Sequence, residues 1–108
     1  MVLNRDNVQA PVLPKETHEC SALGGSVVVR GLLLRERLAL FDDARSGMER
    51  YGHVSSVLAS CVCDVNGKPI LTAEQWEEFG SANFEASLDL FRVAQRLSGL
   101  DVEERKKN

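Results

Sequence analysis

No run of apolar residues in this sequence approaches the roughly 18 needed to cross a bilayer, and the polar start from Met1 to Gln9 lacks the apolar stretch of a signal peptide. Both absences predict a cytosolic protein with no membrane partner. There is no excess of positive charge either. Thirteen Lys and Arg stand against 16 Asp and Glu, and a formal net charge of -3 removes the electrostatic footprint of a protein that tracks phosphate backbones. Nucleic acid is not an expected partner. Cysteine is scarce and odd in number (Cys20, Cys61 and Cys63), so no disulfide framework is implied and free thiols in a reducing compartment are expected.

The same scarcity narrows the chemistry. Cys61-x-Cys63 has neither the C-x2-C spacing and second pair of the common zinc knuckles nor the C-x-x-C arrangement that tunes a redox thiolate. The only two histidines are His18, on an expected strand, and His53, at an expected helix start, and neither has an activated neighbour in sequence. Asp42-Asp43, Glu77-Glu78 and Glu103-Glu104 are adjacent pairs, which on a helix point apart and form a solvated face. Gly24-Gly25 lacks the G-x-G-x-x-G or G-x4-G-K-[ST] spacing that cradles phosphates. No catalytic residue, metal ligand or cofactor is predicted, and the chain reads as a non-enzyme.

What is present is the material of one small folded domain, with 44% hydrophobic and 27% charged residues in 108. Residues 1–15, with Pro11 and Pro14 and no sustained period, read as a flexible N-terminal arm, and residues 16–108 as a single domain. Thr17 to Ala22 and Ser26 to Arg30 predict a hairpin across Leu23-Gly24-Gly25, the paired glycines supplying positive φ. Leu34, Leu38 and Phe41 form one helical stripe that should stop near Ser46-Gly47. Val54, Val57, Leu58 and Cys61 form a second.

Asp64 to Leu71 must reverse the chain around Asn66-Gly67 and Pro69. Cys61-Val62-Cys63 either ends the preceding helix or pairs with Ile70-Leu71 as a very short hairpin. Thr72 and Gln75 have the spacing of a capping box, predicting a short helix through Trp76 and Phe79 that Gly80-Ser81 breaks. From Ala82 the positions Phe84, Leu88 and Phe91, flanked by Leu90, Val93, Ala94 and Leu97, predict the longest helix, with Gly99 as its C-cap and Leu100 folded back. Asp101 can cap one further charged turn, Val102 to Lys106.

The fold class is therefore α+β, mainly α: an N-terminal β-hairpin followed by a bundle of short amphipathic helices. Trp76, Phe79, Phe84 and Phe91 read first as core. The apolar stripes nevertheless exceed what one small core covers, which points to self-association or a groove for a partner helix. Leu34, Leu38, Phe41, Phe84, Leu88 and Phe91 are the candidate partner-binding residues.

The order of these pieces resembles the tail assembly chaperones of long-tailed bacteriophages. The likeness covers about residues 16–108. It rests on Leu23-Gly24-Gly25-Ser26-Val27-Val28-Val29-Arg30-Gly31-Leu32 leading into the Arg35-Glu36-Arg37 helix, then Asp64-Val65-Asn66-Gly67-Lys68-Pro69-Ile70-Leu71-Thr72, then Leu97-Ser98-Gly99-Leu100 and a terminal Lys-Asn. Each piece alone is weak, and it is their order that carries the likeness. The first strand departs from the pattern, with Cys20-Ser21 where a more apolar residue and a proline are usual.

The resemblance implies a chaperone in the host bacterial cytoplasm that coats the tape measure protein while tail tube subunits polymerise, and that is absent from the mature virion. The partners it implies are the tape measure protein, the major tail tube protein, further copies of the chain as a homo-oligomer, and a frameshift-extended form of itself, for which the Lys106-Lys107 codons would supply a slippery tract. The alternative from another class is a small helical adaptor or antitoxin-like regulatory protein of the host, which a neighbourhood of tail tube and tape measure genes would separate. An enzyme would need a pocket joining His18 or His53 to a cysteine or carboxylate.

Overall fold

The computed structural model describes residues 2–45 and 52–99. In chain order it contains strand β1 (Lys15–Cys20), a 3-10 turn (Ser21–Leu23), strand β2 (Gly25–Arg30), helices α1 (Leu34–Arg45) and α2 (Gly52–Cys61), the two-residue strand β3 (Val62–Cys63), and helices α3 (Ala73–Ala82) and α4 (Phe84–Leu97). This is the expected mainly helical α+β architecture, with a third strand added.

The sheet is antiparallel in the order β1-β2-β3. Lys15 pairs with Arg30 and Cys20 with Gly25, so the strand begins one residue inside the predicted arm. The turn between them is a correction in detail. Only Gly24 takes a positive φ, 92°, where its N–H closes the turn on the Cys20 and Ser21 carbonyls, while Gly25 opens β2. Directly paired residues share a sheet face. Glu16, His18, Cys20, Val27 and Val29 therefore look inward, and Lys15, Thr17, Glu19, Val28 and Arg30 look outward.

Both readings of the Cys61-Val62-Cys63 segment prove partly right. Cys61 is the last residue of α2, and the next two residues are extended. Their main partner is not Ile70-Leu71 but β2, with Val28 opposite Cys63 and Val29 opposite Val62. Behind them the chain reverses through a bridge between Cys63 and Pro69. Asp64 holds that turn, its Oδ1 accepting from the N–H groups of Asn66 and Lys68 at 2.8 and 3.0 Å.

Helices α2 and α4 cover the inner sheet face, and α3 packs against both. The core runs through Val27, Val29, Leu32, Val57, Leu58, Cys61, Val62, Trp76, Leu90 and Ala94. The capping box of α3 is formed: Thr72 Oγ1 accepts from the Gln75 N–H and Gln75 Oε1 accepts from the Thr72 N–H. Thr72→Ala should therefore cost about 1 kcal/mol, read as a shift in the urea midpoint. Thr72→Ser should cost much less.

Two helix expectations need correction. Gly80-Ser81 does not break α3, which continues to Ala82; the chain bends at Asn83 instead. In α4 the buried residues are Ser87, Leu90 and Ala94, so the core stripe is rotated away from Phe84 and Leu88, while Phe91 is half-buried against it. The reason is steric. A Cβ built on Gly80 would lie 3.3 Å from Ser87 Oγ, so α3 and α4 approach through small residues and the large rings flank the contact. The predicted stop at Ser46-Gly47, the Leu100 contact and the turn 102–106 lie outside the described residues.

Candidate interaction surface

Helix α1 is tied down at its first turn. Glu36 accepts from the Leu33 N–H at 2.8 Å and holds both guanidinium nitrogens of Arg30, at 3.0 and 3.1 Å. Burial works against this carboxylate, but the hydrogen bonds from Arg30 and the Leu33 amide outweigh it and hold its pKa below the ordinary value. The Leu32 N–H donates to Ser98 Oγ at 2.8 Å, and the Gly31 N–H donates to the Pro14 carbonyl. The start of α1 is thus fixed beside the C-terminal end of α4.

Beyond that anchor the helix turns apolar side chains to solvent. Leu34 is 74% exposed and Leu38 is 54% exposed, one turn apart on one face. Arg35, also exposed, lies beside them. The Phe41 side chain, the third of the predicted stripe, lies outside the described residues.

The second apolar feature lies at the other end of α4. Helices α2, α3 and α4 enclose an open cleft of about 440 Å³ whose apolar walls are Val54, Leu58, Trp76, Phe84 and Leu88. Phe84 is 64% exposed at its lip, a correction to its reading as core, and Leu88 is half-buried. Phe91, also half-buried, packs on the core instead of joining this cleft. Trp76, 1% exposed, lies against Phe79 edge to face at a centroid distance of 5.3 Å, and its Nε1–H has no acceptor among the described residues.

One acidic residue, Glu77, lines the cleft; Glu74, Glu78 and Glu85 are exposed elsewhere on α3 and α4, and none of these four forms an ion pair among the described residues. Sequence reasoning found Phe84 and Leu88 but not the walls supplied by Val54, Leu58 and Trp76, because spacing within one helix does not show which helices meet. The capping box that fixes the start of α3 was the available signal.

Elsewhere the polar side chains serve the fold. Arg96 of α4 clamps Glu16 of β1 with two bonds of 2.6 and 2.9 Å, and His18 Nε2 lies 3.0 Å from the same carboxylate. Hydrogen bonds from Arg96 and then His18 lower the Glu16 pKa from 4.5 to about 2. A depressed carboxylate stabilises the fold above its unfolded pKa, and that contribution fades as pH falls from about 4.5 toward 2. Glu16→Gln should therefore lower the urea midpoint at neutral pH, with the gap to the native chain closing near pH 2.

His18 shares a shallow hollow with Cys20 and Asp89, but no hydrogen bond among the described residues joins it to the cysteine. All three cysteines are free and buried. Burial raises the Cys61 thiol to about 12 against the opposing charge of Arg30, and burial raises Cys63 as well, so both are protonated at neutral pH. Among the described residues no three His, Cys, Asp or Glu side chains are grouped to hold a metal ion, and no helix is long and apolar enough to cross a membrane.

No family model matches this chain, and no curated protein or solved structure matches it at a significant level. The fold and its two apolar surfaces therefore supply the structural argument for function.

Proposed function

We propose that this chain is a non-enzymatic binding protein, a phage tail assembly chaperone that coats the tape measure protein while the tail tube assembles. The observation that carries the binding reading is apolar helical surface beyond what the core uses: Leu34 and Leu38 on α1, and Phe84 at the lip of the cleft. Such surfaces recognise amphipathic helices, whose apolar residues at i, i+3 and i+4 fill a groove. The tail assembly part of the reading rests on the order of the hairpin, the Asp64-to-Thr72 turn and the Leu97-Ser98-Gly99-Leu100 end. A chaperone of a long helical partner needs repeated apolar contacts on a soluble exterior, and the net charge of -3 suits that exterior.

The test is co-expression with a tape measure protein, the partner this reading assigns. The reading expects the partner to move from the insoluble to the soluble fraction only when this chain is present. A partner equally insoluble with and without the chain overturns it.

A further inference from the structure

We propose that the exposed leucine stripe of α1 docks an amphipathic helix whose own apolar seam is flanked by acidic residues on both sides. This deepens the binding-protein reading and rests on it, without needing the tail assembly part. Successive side chains stand about 100° apart around a helix axis. Leu34 and Leu38 are then about 40° apart and form the stripe, with Arg35 about 80° to one side of its centre and Arg37 about 80° to the other. Glu36 falls on the opposite side, and it is there that it holds Arg30 of β2. That pair turns the far face of α1 to the body of the protein and leaves the leucines outward, 74% and 54% exposed.

The two flanking arginines are also the ones without a carboxylate partner among the described residues of the strands and helices. Arg30 pairs with Glu36, Arg92 with Asp89 and Arg96 with Glu16, whereas Arg35 and Arg37 form no ion pair among the described residues. In a chain of net charge -3, the stripe is thus bordered by two cations. A helix laid along the leucines brings its flanks against these arginines, as the positions beside a coiled-coil seam face each other across the interface. Acidic flanks are attracted on both sides at once, and basic flanks are repelled on both. The α2–α3–α4 cleft has the opposite bias, because the charged residue in its wall is Glu77. Charge therefore separates the two surfaces.

Two labelled synthetic peptide helices test this on the full chain, with identical leucine seams, glutamate flanks in one and lysine flanks in the other. By fluorescence anisotropy the glutamate peptide should bind at least about tenfold more tightly, and the gap should shrink as salt rises from roughly 0.1 to 1 M, because exposed charges are screened. Arg35→Glu/Arg37→Glu should reverse the preference, and Arg35→Glu alone, at an exposed position, should reduce it. Leu34→Ser/Leu38→Ser should weaken the glutamate peptide at least about tenfold, as loss of central anchors requires. Unchanged circular dichroism shows that each variant folds. Emission from Trp76, the single tryptophan, should stay constant, since it forms a wall of the cleft and not of the stripe.

Equal affinity for the two peptides, no binding of either, or binding that survives loss of the leucines overturns the proposal. So does a Trp76 shift in the native chain, which would place the peptide in the cleft. None of these readouts needs a tape measure protein. A solubilised tape measure protein with no peptide preference keeps the chaperone reading and moves its contact off α1; an insoluble one with the preference intact leaves the α1 contact standing without it.

Discussion

Trp76→Ala is expected to lose about 3–5 kcal/mol, a large share of the roughly 5–15 kcal/mol that holds a small domain folded. Trp76 is the largest fully buried side chain, and it joins α3 to the core and to Phe79. Truncation opens a cavity where three helices meet. Trp76→Phe should lose distinctly less than the alanine variant: it retains a ring, and it removes an indole N–H that has no acceptor among the described residues, a burden of about 1–3 kcal/mol in the native chain. Both variants lack the single tryptophan, so urea unfolding is followed by circular dichroism. An alanine variant within about 1 kcal/mol of the native chain contradicts the packing described here.

Gly31→Ala is the second large effect, and it arises from one missing atom. A Cβ at this position would stand 2.8 Å from the Leu97 carbonyl oxygen and 3.2 Å from its carbon, both backbone atoms that no rotamer change can move. The junction between β2 and α1 must then lift away from the end of α4, taking the Leu32-to-Ser98 hydrogen bond with it. The expected loss is about 1–3 kcal/mol or more, as for other insertions into a filled site. Gly25→Ala is the control. A Cβ there meets nothing within 4 Å and its φ is not positive, so its urea midpoint should stay close to that of the native chain. Equal effects at the two glycines contradict the close approach of β2 and α4.

Local signals were legible in the sequence, and long-range ones were not. The Val57, Leu58 and Cys61 stripe is buried as its spacing predicts, and the Thr72–Gln75 box forms because both partners are three residues apart. β3 could not be read in the same way. It is two residues long, and the strand it joins lies more than thirty positions earlier, at Val28 and Val29. The α4 stripe was misplaced because hydrophobicity ranks Phe84 and Leu88 above Ser87, whereas close helix contacts select small side chains.

The candidate site shows the same division. Periodicity marked Leu34, Leu38, Phe84 and Leu88 as apolar stripe positions without showing which of them the fold itself would cover. Leu34 and Leu38 remain exposed, Leu88 lines a cleft, and Phe91 is taken up by the core. A helix written as amphipathic carries no record of where its partner is. Glu77, which lines the cleft, was visible in the sequence only as half of Glu77-Glu78, a pair that reads as solvated until Trp76 and Phe84 are placed beside Glu77.

The measurement that bears most directly on function is the mass, by light scattering, of whatever this chain forms when co-expressed with the long helical tape measure protein. The chaperone account predicts a stable complex with many copies of the chain on each partner molecule. A discrete species of the chain alone, with the tape measure protein absent from the peak, contradicts it.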